Sequence, residues 1–252
     1  MTGTVYLVGA GPGAPDLMTL RAARLLEQAD IVFHDALVHP DTLTLAARAV
    51  LVPVGKRCGR LSTAQRFIDK QLIDAAGRYP VVVRLKGGDP MLFGRAQEEI
   101  AALRAAAVPF EVVPGVTAAL AASADLEQSL TQRGLSRSVV FLTPRVGDGE
   151  PQHDWARPAA GADTAVLYMA SRHTDAISSG LIAAGVSAAR PAVLVENASL
   201  PERRIVPTRV GDLAAAAADL GDGPALLVIG DVYAALVAAH ERERAQDDRL
   251  SA

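Results

Sequence analysis

Residues 80–95 read PVVVRLKGGDPMLFGR, a β-branched run that ends in a glycine turn flanked by fixed positive charge. Val81, Val82 and Val83 suit a pleated, buried surface, so Pro80 to Leu85 reads as a strand. Gly87 and Gly88 have no Cβ and therefore let a ligand approach the backbone closely. Asp89 and Pro90 fix the exit of the turn. Arg84, Lys86 and Arg95 surround it with cations suited to carboxylates. A bare GGDP is also compatible with an ordinary strand-to-helix turn carrying solvated charges; the longer string is more specific. The helical pattern that follows, over Arg95 to Ala107, makes the whole a strand–turn–helix unit of an α/β protein.

The same alternation extends in both directions. Upstream lie the apolar run TVYLV, a helix over Asp16 to Ala29 that Asp16 can cap, DIVFH, AVLVPV and a helix beginning near Ser62. Downstream come PFEVVP and a helix over Gly115 to Leu126. RSVVFLT, TAVLYMA, a helix over Thr174 to Ala184, PAVLVE and PALLVIG then follow. The pattern predicts an α/β fold with a largely parallel sheet, and RRIVPTRV as a possible antiparallel strand. Pro144 to Gly161, punctuated by Gly147, Gly149, Pro151 and Pro158, reads as a surface loop. The expected division is residues 1–116 and 117–240, each an α/β domain, with a charged tail at 241–252 that frays beyond its first turns.

Composition narrows the function classes. The 252 residues are 50 % hydrophobic and 21 % charged, enough for real cores. A net charge of −3 argues against general nucleic-acid binding. Cys58 is the single cysteine, which removes any internal disulfide and suits a cytoplasmic location. The apolar stretch Ala105 to Ala124 is interrupted by Pro109, Glu111 and Pro114, and no signal-peptide pattern opens the chain; neither a membrane span nor a leader is expected. The five histidines, His34, His39, His153, His173 and His240, show no ligand spacing, so no metal is expected. Between Lys56 and Arg95, nine Lys/Arg face three Asp/Glu, a local +6 on an acidic chain that suits a polyanionic small molecule.

Gly9-Ala10-Gly11-Pro12-Gly13, after a strand, invites an NAD-type oxidoreductase as a competing class. Pyrophosphate binding needs backbone N–H groups at the helix start, and Pro12 and Pro15 remove two of them. Ala14 also stands where the third fingerprint residue falls. Asp35 and Lys56 each follow an apolar run, at what should be the carboxyl ends of strands, where ligands gather in open sheets. Helix capping for Asp35 and a solvated amine for Lys56 are the plain alternatives.

The RLKGGDPMLFGR string, VYLVGAGPG at 5–13, Asp35, VGKR at 54–57, VPGVTAA at 113–119, Tyr168-Met169 and Val195-Glu196-Asn197 occur in an order that resembles the S-adenosylmethionine-dependent tetrapyrrole methylases. Within that family they resemble the branch acting on uroporphyrinogen III. The resemblance runs from about Val5 to about Gly230. It implies two α/β domains with the cofactor cleft between them, and methylation of uroporphyrinogen III at C2 and C7 to give precorrin-2 for sirohaem or cobalamin synthesis. Methylation of a later corrin precursor is the runner-up within the family, and a catalytically silent cofactor-binding module is a third class.

By the same resemblance, Asp35 is a proton acceptor and Lys56 a proton donor. Pro12, Gly87, Gly88, Asp89, Leu92, Thr117, Ala118, Met169 and Ala198 would contact S-adenosyl-L-methionine or its product S-adenosyl-L-homocysteine. Arg57, Arg60, Arg84, Arg95 and Arg133 would meet substrate carboxylates. A homodimer in a stand-alone form, without the further domain of fused relatives, is implied as well. The sequence departs from the family at Ala36, where arginine is usual, at Gln132, where histidine is frequent, and at Ala96-Gln97, where a glycine pair is common. These departures leave Arg57, Arg60 or Arg133 to supply the missing guanidinium.

Overall fold

Apolar alternation from Thr4 onward sets the order β1 (Thr4–Gly9), α1 (Leu20–Gln28), β2 (Ile31–His34), α2 (Pro40–Leu43), β3 (Val50–Pro53), α3 (Gln65–Ala76), β4 (Val81–Lys86), α4 (Ala96–Ala105) and β5 (Phe110–Val113). The computed structural model describes residues 2–54, 65–145, 153–171 and 173–250. The chain falls into two compact units, Met1–Ala118 and Ala119–Ala252.

The first unit is a five-stranded sheet in the order β3-β2-β4-β1-β5, with every neighbouring pair parallel. Period-2 alternation gives each face its own core. Val5, Leu7, Phe33 and Val82 pack with Ile68 and Leu72 of α3 and Ile100 and Leu103 of α4. Val8, Val32, Val83 and Leu85 pack with Ala22 and Leu26 of α1. Leu7, Leu26, Leu72, Leu85 and Leu103 are fully buried, each worth about 1.5–3 kcal/mol relative to exposure. Because β4 is central and covered on both faces, its buried run continues through Arg84 and Lys86.

Helix α1 begins later than expected. Met18 is extended, so the turn at Pro15–Leu17 cannot propagate, and the Thr19 side chain caps the helix by accepting from Ala22 N–H at 3.2 Å. Asp16 sits in the preceding single turn.

The second unit follows the start of α5 (Ala118–Asp125) with β6 (Val139–Leu142), α6 (Ala156–Gly161), β7 (Thr164–Tyr168), α7 (Thr174–Ala183), β8 (Pro191–Glu196), β9 (Arg204–Arg209), α8 (Leu213–Ala216), β10 (Ala225–Gly230) and α9 (Ala234–Leu250). Its sheet order is β6-β7-β10-β8-β9. Here the expectation of parallel strands fails for the central pairs: β6 and β7 are parallel, but β7–β10 and β10–β8 are antiparallel, while β9 pairs antiparallel with β8 as expected for RRIVPTRV. Leu167, Leu194, Leu227 and Ile229 pack with Ile177, Leu181 and Leu213. The stretch expected to be loop through Gly161 ends instead in α6, whose Ala159 joins this core along with the half-buried Trp155. The charged tail is helical as far as Leu250. Among the described residues no helix is long and apolar enough to cross a membrane.

Candidate active site

Three strand ends meet at the carboxyl edge of the first sheet. Gly11 and Gly88 exchange backbone hydrogen bonds of 3.2 and 2.7 Å, joining the loop after β1 to the turn after β4. Asp89 then clips that turn to the segment after β5: one carboxylate oxygen accepts from Met91 N–H at 2.8 Å and the other from Gly115 N–H at 2.9 Å. Asp89, expected to contact a cofactor, thus uses its carboxylate to shape the backbone.

Two glycines here play opposite parts. A Cβ on Gly115 would lie 2.3 Å from the Gly88 carbonyl oxygen and 2.8 Å from Gly9 Cα, so Gly115 permits backbone to touch backbone. Gly88 holds φ +70, and a Cβ there would meet nothing nearer than Thr117 Cα at 4.0 Å. Its open side is a cradle that a side chain would fill and that a ligand can enter. Pro12, Gly87, Thr117 and Ala118, also expected at the cofactor, are half-buried around these three strand ends.

A buried ion network lies on the α3–α4 face of the same edge. Arg84 and Lys86, two residues apart on β4, point to one face, where α4 supplies Glu99. Arg84 Nε donates to Glu99 Oε1 at 2.9 Å, and Lys86 Nζ lies 3.0 Å from each Glu99 oxygen. Gln65 adds a bond to Oε1 at 3.2 Å. The second arm of Arg84 reaches Asp35 Oδ1 at 2.5 Å, and its remaining nitrogen donates to the Leu85 carbonyl at 3.1 Å. Arg84, Lys86 and Glu99 have side-chain exposures of 3, 3 and 0 %, whereas Asp35 keeps 28 %. Two cations and two carboxylates give a neutral set, which offsets the cost of desolvation; removing one partner of such a pair costs about 3–5 kcal/mol.

Burial alone would lower the Arg84 pKa, but Asp35 and Glu99 together outweigh it and raise it. Burial, aided by Arg84, pulls the Lys86 ammonium down against the opposing pull of Glu99.

Arg84, expected to meet substrate carboxylates, is enclosed and donates to Glu99, Asp35 and the Leu85 carbonyl, so that its guanidinium anchors Asp35. Arg95 is exposed and forks onto Glu98 at 2.7 Å twice. It borders a groove of about 260 Å³ with Pro90, Met91 and Phe93. Leu92 is half-buried in the same loop. Arg133 is exposed in the turn closed by Gln132 and Ser136. Lys56, Arg57 and Arg60 lie outside the described residues. The local +6 is therefore partly neutralised from within the fold.

In the second unit, Met169 follows β7 at φ +58 and is 41 % exposed. A left-handed, non-glycine residue at a strand end carries strain that often marks a ligand site. Ala198 is buried in a tight turn where Asn197 and Ser199 have φ +52 and +73, pinned by Ser199 N–H donating to Asp125 at 2.6 Å. Glu196 is a structural clip, accepting from Gly221 and Gly223 N–H at 2.9 and 2.7 Å. A larger concavity, about 500 Å³ beside Asp163, Ser187 and Arg190, contains none of the motif residues.

Sequence reading missed Glu99 and the packing role of Gly115. The signal for Glu99 was present: Ala96, Glu99, Ile100 and Leu103 fall on one helical stripe, so an acid sits where apolar residues belong. Such an acid requires a buried cation.

A parallel sheet whose carboxyl edge carries an open glycine turn and an anchored carboxylate defines a ligand-binding α/β protein of the kind in which strand ends build the site. The chain belongs to the Tetrapyrrole (Corrin/Porphyrin) Methylases, whose family model matches residues 4–214. It is 43 % identical over 234 residues to the uroporphyrinogen-III C-methyltransferase of a Sinorhizobium species, covering 91 % of this chain and 84 % of that one. It is 44 % identical over 232 residues to the siroheme synthase of Psychrobacter sp. PRwf-1, covering 91 % of this chain but only 48 % of that relative's length. The uroporphyrin-III C-methyl transferase of Thermus thermophilus, solved with S-adenyl homocysteine, superposes with a TM-score of 0.81 at 40 % identity, over 92 % of this chain and 100 % of that one.

Proposed function

We propose that this chain transfers methyl groups from S-adenosylmethionine to two ring carbons of uroporphyrinogen III, giving precorrin-2. The observation that carries the reading is the open side of Gly88 at the same sheet edge as a fixed, partly exposed Asp35. The thioether-bound structure from Thermus and the named Sinorhizobium relative support the cofactor and the substrate. When bound, the sulfonium supplies an electrophilic methyl with a good leaving group.

The chain's own residues position and manage protons. The Gly87-Gly88 backbone, with Pro12, Thr117 and Ala118 near it, would hold the donor, and the family resemblance assigns Met169 and Ala198 to the same ligand. Methylation of a neutral ring leaves positive charge on the macrocycle, and loss of a proton restores neutrality. Asp35 is the acceptor in this reading: Arg84 fixes Oδ1, and the exposed part of the carboxylate faces outward as a base. Lys56 would serve as donor, and Arg57, Arg60, Arg95 and Arg133 would meet substrate carboxylates. We place the reaction in the cytoplasm and the chain in a homodimer, with no metal required.

Incubation of the purified protein with S-adenosylmethionine and fresh uroporphyrinogen III should give a product two methyl groups heavier by mass spectrometry, and little product from coproporphyrinogen. Equal rates on both porphyrinogens would refute carboxylate recognition. Activity confined to a later corrin precursor would move the chain to another branch of the family.

A further inference from the structure

Glu99 has 0 % side-chain exposure, yet it organises the group that would face the substrate. Its Oε1 accepts from Arg84 Nε, Lys86 Nζ and Gln65 Nε2 at 2.9, 3.0 and 3.2 Å, and its Oε2 takes Lys86 again at 3.0 Å. A guanidinium is planar, so fixing Nε fixes the direction of the far nitrogen, which here donates to Asp35 Oδ1 at 2.5 Å. The Leu85 carbonyl holds the third nitrogen at 3.1 Å and removes the remaining freedom of rotation. Asp35 lies on the loop after β2 and Glu99 in the first turn of α4. Arg84 bridges the two carboxylates.

We propose that Glu99 is a positioning residue for methyl transfer, acting through Arg84 to hold the Asp35 carboxylate in the attitude from which it takes up the proton. The inference rests on the reading of Asp35 as proton acceptor. The charge balance leads to the same conclusion. Without the Glu99 carboxylate, Asp35 is the one acid of the network left to answer both Arg84 and Lys86, and the guanidinium loses the acceptor that orients it. A small displacement of a reacting group is enough to cost rate without touching the cofactor cradle, because misplacement by about 1 Å costs up to about 100-fold.

The test is a double-mutant cycle on the full chain: wild type, Glu99→Gln, Asp35→Asn and the double variant. Turnover and KM are read with uroporphyrinogen III, and binding is read with S-adenosylhomocysteine. Glu99→Gln should lower kcat about 10- to 100-fold. The affinity for the thioether should stay within about twofold, the mark of a contribution made in the transition state. In the Asp35→Asn background the same change should have no further effect, since interacting residues are non-additive. A structural role alone would lower kcat by the same factor in both backgrounds, and that result overturns the inference while leaving Asp35 in place. Wild-type turnover in Glu99→Gln overturns it likewise. Wild-type turnover in Asp35→Asn overturns the reading of Asp35 and the inference together. If Glu99→Gln does not fold, Arg84→Lys keeps the buried charge but cannot bridge both carboxylates, and the same non-additivity with Asp35→Asn is expected; additivity there overturns the inference.

Discussion

Alanine at Gly88 and alanine at Gly115 should damage different properties, although both glycines belong to one backbone knot. At Gly115 the new methyl carbon would sit 2.3 Å from the Gly88 carbonyl oxygen, 2.8 Å from Gly9 Cα and 3.0 Å from Gly9 carbonyl carbon. All three are main-chain atoms of strand ends and have no rotamer by which to give way. Overpacking of this kind costs about 1–3 kcal/mol. Displacing Gly115 also weakens its N–H bond to Asp89, a 2.9 Å contact to a carboxylate, worth about 1.5–3 kcal/mol. A total of about 2.5–6 kcal/mol corresponds to a fall in Tm of roughly 5–24 °C for a chain of this size. At Gly88 the added methyl meets nothing within 4.0 Å, and the cost is the left-handed φ of +70, about 1–2 kcal/mol and a few degrees of Tm. That methyl nevertheless occupies the cradle. Scanning calorimetry and titration with S-adenosylhomocysteine should therefore separate the pair. Gly115→Ala should melt far below wild type, whereas Gly88→Ala should melt close to it but lose thioether affinity, and Gly88→Val should lose it altogether. Wild-type affinity in Gly88→Val would place the ligand elsewhere, and a wild-type melting point in Gly115→Ala would refute the packing argument.

Lys56→Met should lower turnover far more than thioether affinity; unchanged turnover would remove the residue from proton transfer. Tyr233 is fully buried, and its hydroxyl has no hydrogen-bond partner among the described residues, so Tyr233→Phe should gain about 1 kcal/mol at neutral pH by removing an unsatisfied group. Burial pushes that phenol well above its ordinary value near 10. The unfolded chain then ionises first, and the folded state loses stability as pH rises from about 10 upward. Urea midpoints at neutral and alkaline pH should show the phenylalanine variant free of this loss, and parallel pH curves for the two proteins would contradict it. Light scattering at micromolar concentration should give a dimer mass; a monomer would count against the assembly implied by the family resemblance.

Local chemistry made much of the first unit legible. The valine run of β4, the glycines after it and the polar residue closing DIVFH are short-range signals, and short-range sterics and period-2 burial act on neighbouring residues. The positions of Gly87, Gly88 and Asp35 at strand ends could therefore be read directly from the chain. The second sheet was less legible for a physical reason: β7, β8 and β10 are buried on both faces, which erases the alternation that would distinguish antiparallel strands, so TAVLYMA, PAVLVE and PALLVIG resemble parallel strands. The partners of charges were less legible still. Arg84 reads in sequence as a cation beside a glycine turn, suited to an anionic ligand. Its actual partners stand 49 residues back at Asp35 and 15 residues on at Glu99. Those distances close only because β2 and β4 are adjacent in the sheet and α4 covers the face to which Arg84 points. Residue type gave the sign of the charge; tertiary packing decided whether water, substrate or a buried carboxylate would answer it.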